Sequence, residues 1–237
     1  MKTRRISESQ VVTIVLMALA VILLIVGTVG GSRAALTYSE TYSTELSMQD
    51  IGVVLNENNN PVENGGVLLS DILGTDEAFK IGKEYEETIT VENTGSIDQY
   101  VRVTLYKYWQ DADGKRVDLS PSYINLVLGT DNWIVDPAAS TDERTVLYYK
   151  IPLKQNEETS AVITSISVDN AVMKLVEQTK ETEGAYTTVT NTYKYDSVNL
   201  GLKAEVDVVQ AHNGEDAILS AWGAQVSIAD DGTLSLG

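Results

Sequence analysis

The chain contains no cysteine, a single histidine and only four prolines among its 237 residues. Without cysteine there is no disulfide and no thiolate metal site, so a folded domain must rely on its hydrophobic core. The single histidine, His212, excludes the His-Glu-x-x-His zinc site, which needs two histidines one helical turn apart. A lone histidine between a strand and a helix is typical of a turn residue. We therefore predict that the protein is not an enzyme and holds no cofactor, with a His212-dependent hydrolase as the least favoured alternative.

Basic residues are also scarce, because 17 Lys and Arg stand against 34 Asp and Glu, a net charge of −17. Proteins bind nucleic acid through clustered Lys and Arg, and this sequence has no such cluster after its N-terminus. We therefore expect no nucleic-acid binding. No glycine-rich phosphate loop is present. What the chain does have is an ordinary hydrophobic fraction of 43% with abundant Val, Ile, Thr and Tyr. This composition favours a folded domain rich in β-strands.

Residues 1–34 differ from the rest of the chain. Lys2, Arg4 and Arg5 precede an apolar run, Val11–Val26, whose one polar residue is Thr13, and small residues follow it. This order is typical of a secretory signal peptide. Because the positive residues stay in the cytoplasm, the remainder is predicted to be translocated to the extracellular side or the surface of a bacterial cell.

Small residues at Ser32 and Ala34 suit the positions before a signal-peptidase cut and predict cleavage between Ala34 and Ala35. The alternative is a retained membrane anchor. With the glycines that follow it, the apolar run reaches Gly31 and is about as long as a segment that crosses a bilayer.

Residues 35–47 alternate between apolar and small polar side chains and predict a strand. A strand at a new N-terminus needs a sheet to join, either its own or a neighbour's. We therefore treat this segment as a candidate donor strand, followed by one β-sandwich domain over residues 48–237. The apolar side chains that would enter the interface are Leu36, Tyr38, Tyr42 and Leu46.

The segment Lys83–Trp109 reads as two alternating strands joined by a polar turn, which predicts an antiparallel hairpin. Residues 56–66, rich in Asn, Pro and Gly, are predicted to be an irregular loop. A second hairpin is expected over residues 170–196, turning at Glu183-Gly184. The alternating residues 198–208 predict a long strand in the centre of a sheet.

One short helix is predicted in the C-terminal region, capped by the side chain of Asn213 and ended by Gly223. Ile218, Ala221 and Trp222 would pack it against the sheets, and a last hairpin would turn at Asp231-Gly232. These elements together predict an all-β fold, an antiparallel β-sandwich.

Two groups of side chains are candidates for binding. Three acidic residues faintly resemble a calcium loop but lack its glycine and terminal glutamate, so a solvated turn is the favoured interpretation. These are Asp111, Asp113 and Asp118. Three tyrosines lie on one strand, and two interpretations are open for them. They form either a face that binds sugar or protein, or a second core face, and the core face is favoured. These are Tyr100, Tyr106 and Tyr108.

Four stretches of the chain carry a family resemblance: GGSRAAL, EETITVENTGSIDQYVRVTLYKYW, LYYKIPLKQNEETSAVITSISVD and VDVVQAHNGEDAILSAWG. In this order they resemble the TasA and camelysin group of exported biofilm-matrix proteins. The resemblance implies a jelly-roll β-sandwich, release by a dedicated signal peptidase, and assembly of copies into an extracellular fibre through the freed N-terminal strand. A protease activity is not carried over, because the chain has no recognisable zinc site.

The first functional prediction is therefore a structural subunit of a surface or matrix fibre, with copies of itself and the signal peptidase as partners. The alternative is a monomeric surface-binding module, tethered to the membrane by an uncut helix, with a sugar, calcium or protein ligand.

Overall fold

The computed structural model describes residues 50–73 and 79–237. The predicted signal or anchor segment, 1–34, and the candidate donor strand, 35–47, lie outside these residues. Within them, no helix is long and apolar enough to span a membrane. The strands are β1 (Val53–Glu57), β2 (Asn60–Val62), β3 (Glu84–Asn93), β4 (Gln99–Asp111), β5 (Gly114–Lys115), β6 (Ile124–Leu128), β7 (Trp133–Val135), β8 (Arg144–Tyr149), β9 (Ile163–Val168), β10 (Val176–Glu183), β11 (Tyr186–Tyr193), β12 (Asn199–Gln210), β13 (Val226–Ile228) and β14 (Leu234–Leu236). The helices are α1 (Ser70–Leu73) and α2 (Gly214–Trp222), with 3-10 turns at Pro121–Tyr123 and Asn170–Lys174.

The strands form an antiparallel β-sandwich. One sheet has the order β2-β1-β3-β9-β6, and the other has the order β12-β4-β8-β7 with β5 beside β4. The main core lies between the sheets and includes Ile89 and Val91 of β3, Val103 and Leu105 of β4, and Ile166 of β9, each at most 1% exposed. The all-β sandwich predicted from the alternating strands is therefore confirmed.

The predicted hairpin of Lys83–Trp109 is wrong in its pairing, although both strands exist. β3 pairs with β1 and β9, whereas β4 pairs with β12 and β8 in the other sheet. In a hairpin the two apolar faces would lie side by side on one sheet, and other strands would have to cover both of them. Crossing between the sheets instead lets the two apolar faces cover each other.

Asn93 fixes this crossing between the sheets. Its buried side chain donates to the carbonyls of Ile97 and Leu153, both at 2.8 Å, and accepts from the backbone N–H of Gly95 at 2.9 Å. The amide of buried Gln99 also donates to it. This network of buried amides, in which Gln99 Oε1 has no partner among the described residues, holds the connector in one conformation.

The predicted irregular loop at residues 56–66 is wrong in its first half, because β1 and β2 pair as a hairpin. Its two turn residues, Asn58 and Asn59, have φ of 49° and 65°. Asparagine tolerates this left-handed conformation, and two such residues in succession make the turn that matches the twist of a hairpin.

Among the described strands, β12 lies at the edge of its sheet, whereas its alternation predicted a central position. In the part of the chain that the structure describes, β12 pairs only with β4. Alternation reports which face of a strand is buried, but carries no information on how many of its edges are paired. The prediction is therefore correct for the faces of β12 and wrong for its position among the described strands.

A smaller core lies on the outer face of the second sheet, beneath α2 and the β13–β14 hairpin. Tyr100, Tyr148 and Ile218 are buried in it, and the Tyr100 hydroxyl donates to the Gly232 carbonyl at 2.8 Å. Tyr100 thus belongs to a second core face, whereas Tyr106 and Tyr108 are only half-buried.

The predicted helix and tail hairpin are present, with two differences. Asn213 precedes α2 in a left-handed conformation and makes no side-chain cap, and Ala221 is exposed instead of packed. Gly223 ends the helix as predicted, at φ 67°, with its N–H donating to the Leu219 carbonyl. The tail turns at Asp231-Gly232 between the paired strands β13 and β14.

The second predicted hairpin is confirmed, since β10 and β11 pair along their whole length around Gly184.

Candidate strand-accepting edge

The described chain begins beside the connector between β3 and β4. The backbone N–H of Ser96 donates to the Asp50 carbonyl at 2.8 Å, and the Asp50 N–H donates to the Ser96 hydroxyl at 2.9 Å. The Thr94 and Gly95 N–H groups donate to the Gly52 carbonyl at 3.0 and 3.1 Å. The described chain therefore enters the sandwich at this connector.

β12 ends at the same connector. The Ala211 N–H donates to the Asp98 carbonyl at 2.8 Å, and Gln210 stands opposite Gln99 in the ladder. The connector thus joins three features: the start of the described chain, the crossing between the sheets and the end of the long edge strand.

The side of the sandwich formed by β1 and β12 carries a row of half-buried apolar side chains. β2 covers only Leu55–Glu57 of β1, so β2 leaves Val53 and Val54 without a partner strand on that side. Residues of β1 lie against β12. Two strand edges with half-buried apolar side chains between them match what an added strand requires. The half-buried side chains are Val53 and Leu55 of β1 and Ala204, Val206 and Val208 of β12.

Two buried carboxyl groups lie beneath the β1–β2 hairpin, on Glu57 and Glu87. Glu57 Oε1 accepts from the Leu69 N–H at 2.6 Å, and Glu87 Oε2 accepts from the Asn58 amide at 3.3 Å. Burial, together with the hydrogen bond to Glu57 and its charge, raises the pKa of Glu87 to about 8. Among the described residues no donor reaches the buried Glu87 Oε1. The raised pKa favours the protonated form of this carboxyl at neutral pH.

Sequence reasoning missed this pair, although one signal was present. Glu87 falls in phase with Tyr85, Ile89 and Val91, the inward positions of β3. A charged residue at an inward position is uncommon and needs a partner.

Two of the three carboxylates of the calcium candidate, those of Asp111 and Asp118, are engaged with an arginine. Arg116 contacts Asp111 at 3.0 Å and Asp118 at 2.7 Å, and these hydrogen bonds lower the pKa of both carboxyls. The Asp113 N–H donates to Asp111 Oδ1 at 2.9 Å. Among residues 50–73 and 79–237, no group of three or more His, Asp or Glu side chains is placed to hold a metal ion.

The other predicted site residues fall in two places. His212 is exposed on the turn between β12 and α2. The residues of the predicted cleavage site and donor strand lie outside the described residues: Ser32, Ala34, Ala35, Leu36, Tyr38, Tyr42 and Leu46.

A groove of about 310 Å³ lies on the outer face of the second sheet. Arg102 donates to Asp207 Oδ2 from Nη2 at 2.8 Å and from Nε at 3.1 Å, and its guanidinium lies 5.1 Å from the Trp222 ring centroid. Trp222 also contacts the Tyr148 ring. The side chains of Arg102, Asp207, Trp222 and Tyr148 are therefore in contact with one another. Arg144, which also lines the groove, donates to the Ala139 carbonyl.

No protein-family model matches the chain, and no match to it is found among curated proteins or among solved structures.

Proposed function

We propose that the protein is an exported structural subunit of a bacterial surface or matrix fibre, in which residues 35–47 of one copy add as a strand to the β12 edge of the next. The observation that carries the proposal is this edge: twelve residues long, with one partner strand in the described chain and half-buried apolar side chains beside it. Strand addition supplies main-chain hydrogen bonds, and the alternate side chains supply the fit.

Chain geometry favours a neighbour's strand over the protein's own. Residue 47 is three residues from Asp50, a span of roughly 10 Å at most. β12 is roughly 40 Å long, and its C-terminal end lies at the connector beside Asp50. A segment ending at Asp50 can therefore lie along β12 of its own chain only in the parallel direction. Every pair in the described sheets is antiparallel, and a strand from a neighbour has no such restriction.

The side chains of the segment also suit the edge. Leu36, Tyr38, Tyr42 and Leu46 share one face, opposite a face of Ser and Thr. Burying a large apolar side chain contributes about 1.5–3 kcal/mol, so four of them supply roughly 6–12 kcal/mol before the cost of ordering the segment. This range is large enough to hold subunits together without any disulfide.

The finer fold assignment, a jelly roll, belongs to the same proposal. Consecutive strands β6 and β7 lie in different sheets, and they pair with β9 and β8 respectively. A two-stranded ribbon that wraps over both sheets in this way is typical of jelly-roll and Greek-key sandwiches.

Because the chain has no cysteine, introduced cysteines report directly on the strand addition. We would place one cysteine at Thr41 and one at Glu205 of the same chain. Addition between copies yields a ladder of covalently linked multimers, whereas addition within a chain yields an oxidised monomer. Moving the second cysteine from Glu205 to Ser227, exposed on the tail hairpin, is the matched control.

Only monomeric disulfides, or equal ladders from the Ser227 control, would contradict the proposal. Deleting Ala35–Leu46 should also stop filament growth in electron micrographs, and N-terminal sequencing of the exported protein should find Ala35 first.

The alternative function, a membrane-tethered monomer that binds a sugar or protein, is favoured by the groove that Trp222 and Arg102 line. It predicts an intact protein beginning at Met1 in the membrane fraction, with no multimers from the double-cysteine chain.

A further inference from the structure

The ribbon formed by β10 and β11 projects from the domain. The two strands pair over all eight positions, from Val176 opposite Tyr193 to Glu183 opposite Tyr186, and every one of the sixteen residues is exposed. Across the described residues, no third strand pairs with either side of the ribbon.

The base of the ribbon is anchored to the core. The Lys194 N–H donates to the Leu175 carbonyl at 2.9 Å. The Tyr195 ring lies 5.0 Å from Trp109 and 5.7 Å from Tyr123, centroid to centroid. The ribbon therefore leaves the sandwich from a fixed point, with both of its outer edges available.

These two edges differ in charge. β10 carries four charged side chains among its eight residues: Glu177, Lys180, Glu181 and Glu183. β11, with the sequence YTTVTNTY, carries none and contains no proline or bulge. Charged residues are the usual protection of an exposed edge, so β10 is protected and β11 is not.

An isolated two-stranded ribbon is only marginally stable in water. β11 exposes large side chains as well, since Tyr186 is 83% and Tyr193 is 54% exposed. A β-prone, uncharged and unprotected strand at the end of an anchored arm is placed to pair with another strand.

We propose that β11 pairs antiparallel with β11 of a second copy of the chain, so that two ribbons join into one four-stranded sheet. The full-overlap register places Tyr186 opposite Tyr193, Thr187 opposite Thr192, and Val189 opposite Thr190 of the other copy. The two-fold axis makes the surface complementary to itself.

The charge of the chain favours pairing of two copies through β11 over pairing through β10. The chain has a net charge of −17, so two copies repel unless they meet at an uncharged surface. Pairing through β11 brings uncharged strands together and leaves both β10 strands outside. Pairing through β10 would bring the three glutamates of each copy close to those of the other, and like charges on facing strands are destabilising.

This contact is separate from the proposed strand addition, because it uses neither residues 35–47 nor β12. Where both contacts form, the ribbon joins neighbouring fibres or adds a second link along one fibre. If the chain is instead tethered to the membrane without forming fibres, the β11 contact alone would join two copies.

The test uses full-length chains with one introduced cysteine each. A chain with Val189→Cys and a chain with Thr190→Cys are mixed and oxidised, because facing Cα atoms in such a pair lie about 4.5–5.5 Å apart, within disulfide reach. We expect the mixed disulfide dimer to form at least tenfold faster than in a mixture of Thr179→Cys and Lys180→Cys chains, which carry the cysteines on β10. Equal rates in the two mixtures, or no dimer from the β11 mixture, would overturn the proposal.

A matched pair of substitutions provides the second measurement. Thr190 and Thr179 face each other across the ribbon, and both are exposed. Thr190→Lys, introduced into both chains of a Thr187→Cys and Thr192→Cys mixture, should reduce their cross-linking at least fivefold, because it places one lysine of each copy beside the two-fold axis. Thr179→Lys should leave it unchanged, and equal loss with both substitutions would also contradict β11 pairing. Deletion of Ala35–Leu46 should preserve the β11 cross-link, even where it stops filament growth.

Discussion

Replacing Glu87 by Gln should change how the stability of the protein depends on pH. The pKa of Glu87 is raised from 4.5 to about 8 in the folded protein, first by burial and then by Glu57. Below about pH 4.5 the carboxyl is protonated in both the folded and the unfolded state, so its burial does not lower the free energy of unfolding. As the pH rises from there toward 8, the unfolded chain releases a proton that the folded chain keeps, so the free energy of unfolding falls. Above about pH 8 both states are ionised and the loss is constant.

The size of this loss follows from the difference between the two pKa values. Each pKa unit corresponds to about 1.4 kcal/mol, so roughly 3.5 units set an upper limit of about 5 kcal/mol. Relaxation of the protein around a new buried charge reduces the penalty, so we expect about 2–3 kcal/mol. Glutamine has the same shape and no proton to lose, and its amide can still donate toward Glu57.

Urea unfolding at about pH 5 and about pH 8.5 measures the effect. Near pH 5 the Glu87→Gln variant should lie within about 1 kcal/mol of the natural protein, and near pH 8.5 it should be more stable by about 2–3 kcal/mol. Glu86→Gln, on the exposed neighbour in the same strand, is the control and should follow the natural protein at both pH values. Parallel profiles for the natural protein and Glu87→Gln would refute the buried protonated carboxyl.

Two further substitutions test the connector and the outer core. Gly95→Ala places a methyl group against the Asp50 carbonyl and 2.8 Å from the Gly52 nitrogen, so we expect a loss of about 1–3 kcal/mol in urea unfolding, with exposed Thr94→Ala as a nearly neutral control. Ile218→Ala empties the centre of the smaller core and should cost about 2–5 kcal/mol, whereas Ala221→Ser on the exposed side of α2 should cost less than about 0.5 kcal/mol. Equal losses for Ile218→Ala and Ala221→Ser would contradict the packing of α2 against Tyr100 and Tyr148.

Period-2 alternation predicted most strands and their buried faces. Val101, Val103 and Leu105 face the core as expected, and the turns at Gly184 and Asp231-Gly232 follow from residues that adopt such turns readily. Pairing partners did not follow from the sequence, because a strand presents the same alternating pattern whichever strand lies beside it. The connector after Asn93 therefore looked like a hairpin turn, although it crosses between sheets.

Two features of the candidate site were beyond the same reasoning. The edge position of β12 depends on which strands are left without a partner, a property of the whole sheet. The Glu57–Glu87 pair joins two strands through a hairpin that the sequence presented as an irregular loop. Glu87 alone gave a local signal, as an acidic residue at an inward position of β3.

The pairing of β4 with β12 also has a consequence for the time course of folding. Arg102 and Asp207, joined across these strands, are 105 residues apart in the sequence. Contacts of such long range form slowly, because the entropy of closing the intervening loop is lost before the contact stabilises the chain. The second sheet cannot be completed until the chain is available as far as Gln210, the last residue of β12. If the proposed function holds, the strand-accepting edge is then created last, so an incompletely exported copy has no edge to offer and a growing fibre receives only finished subunits.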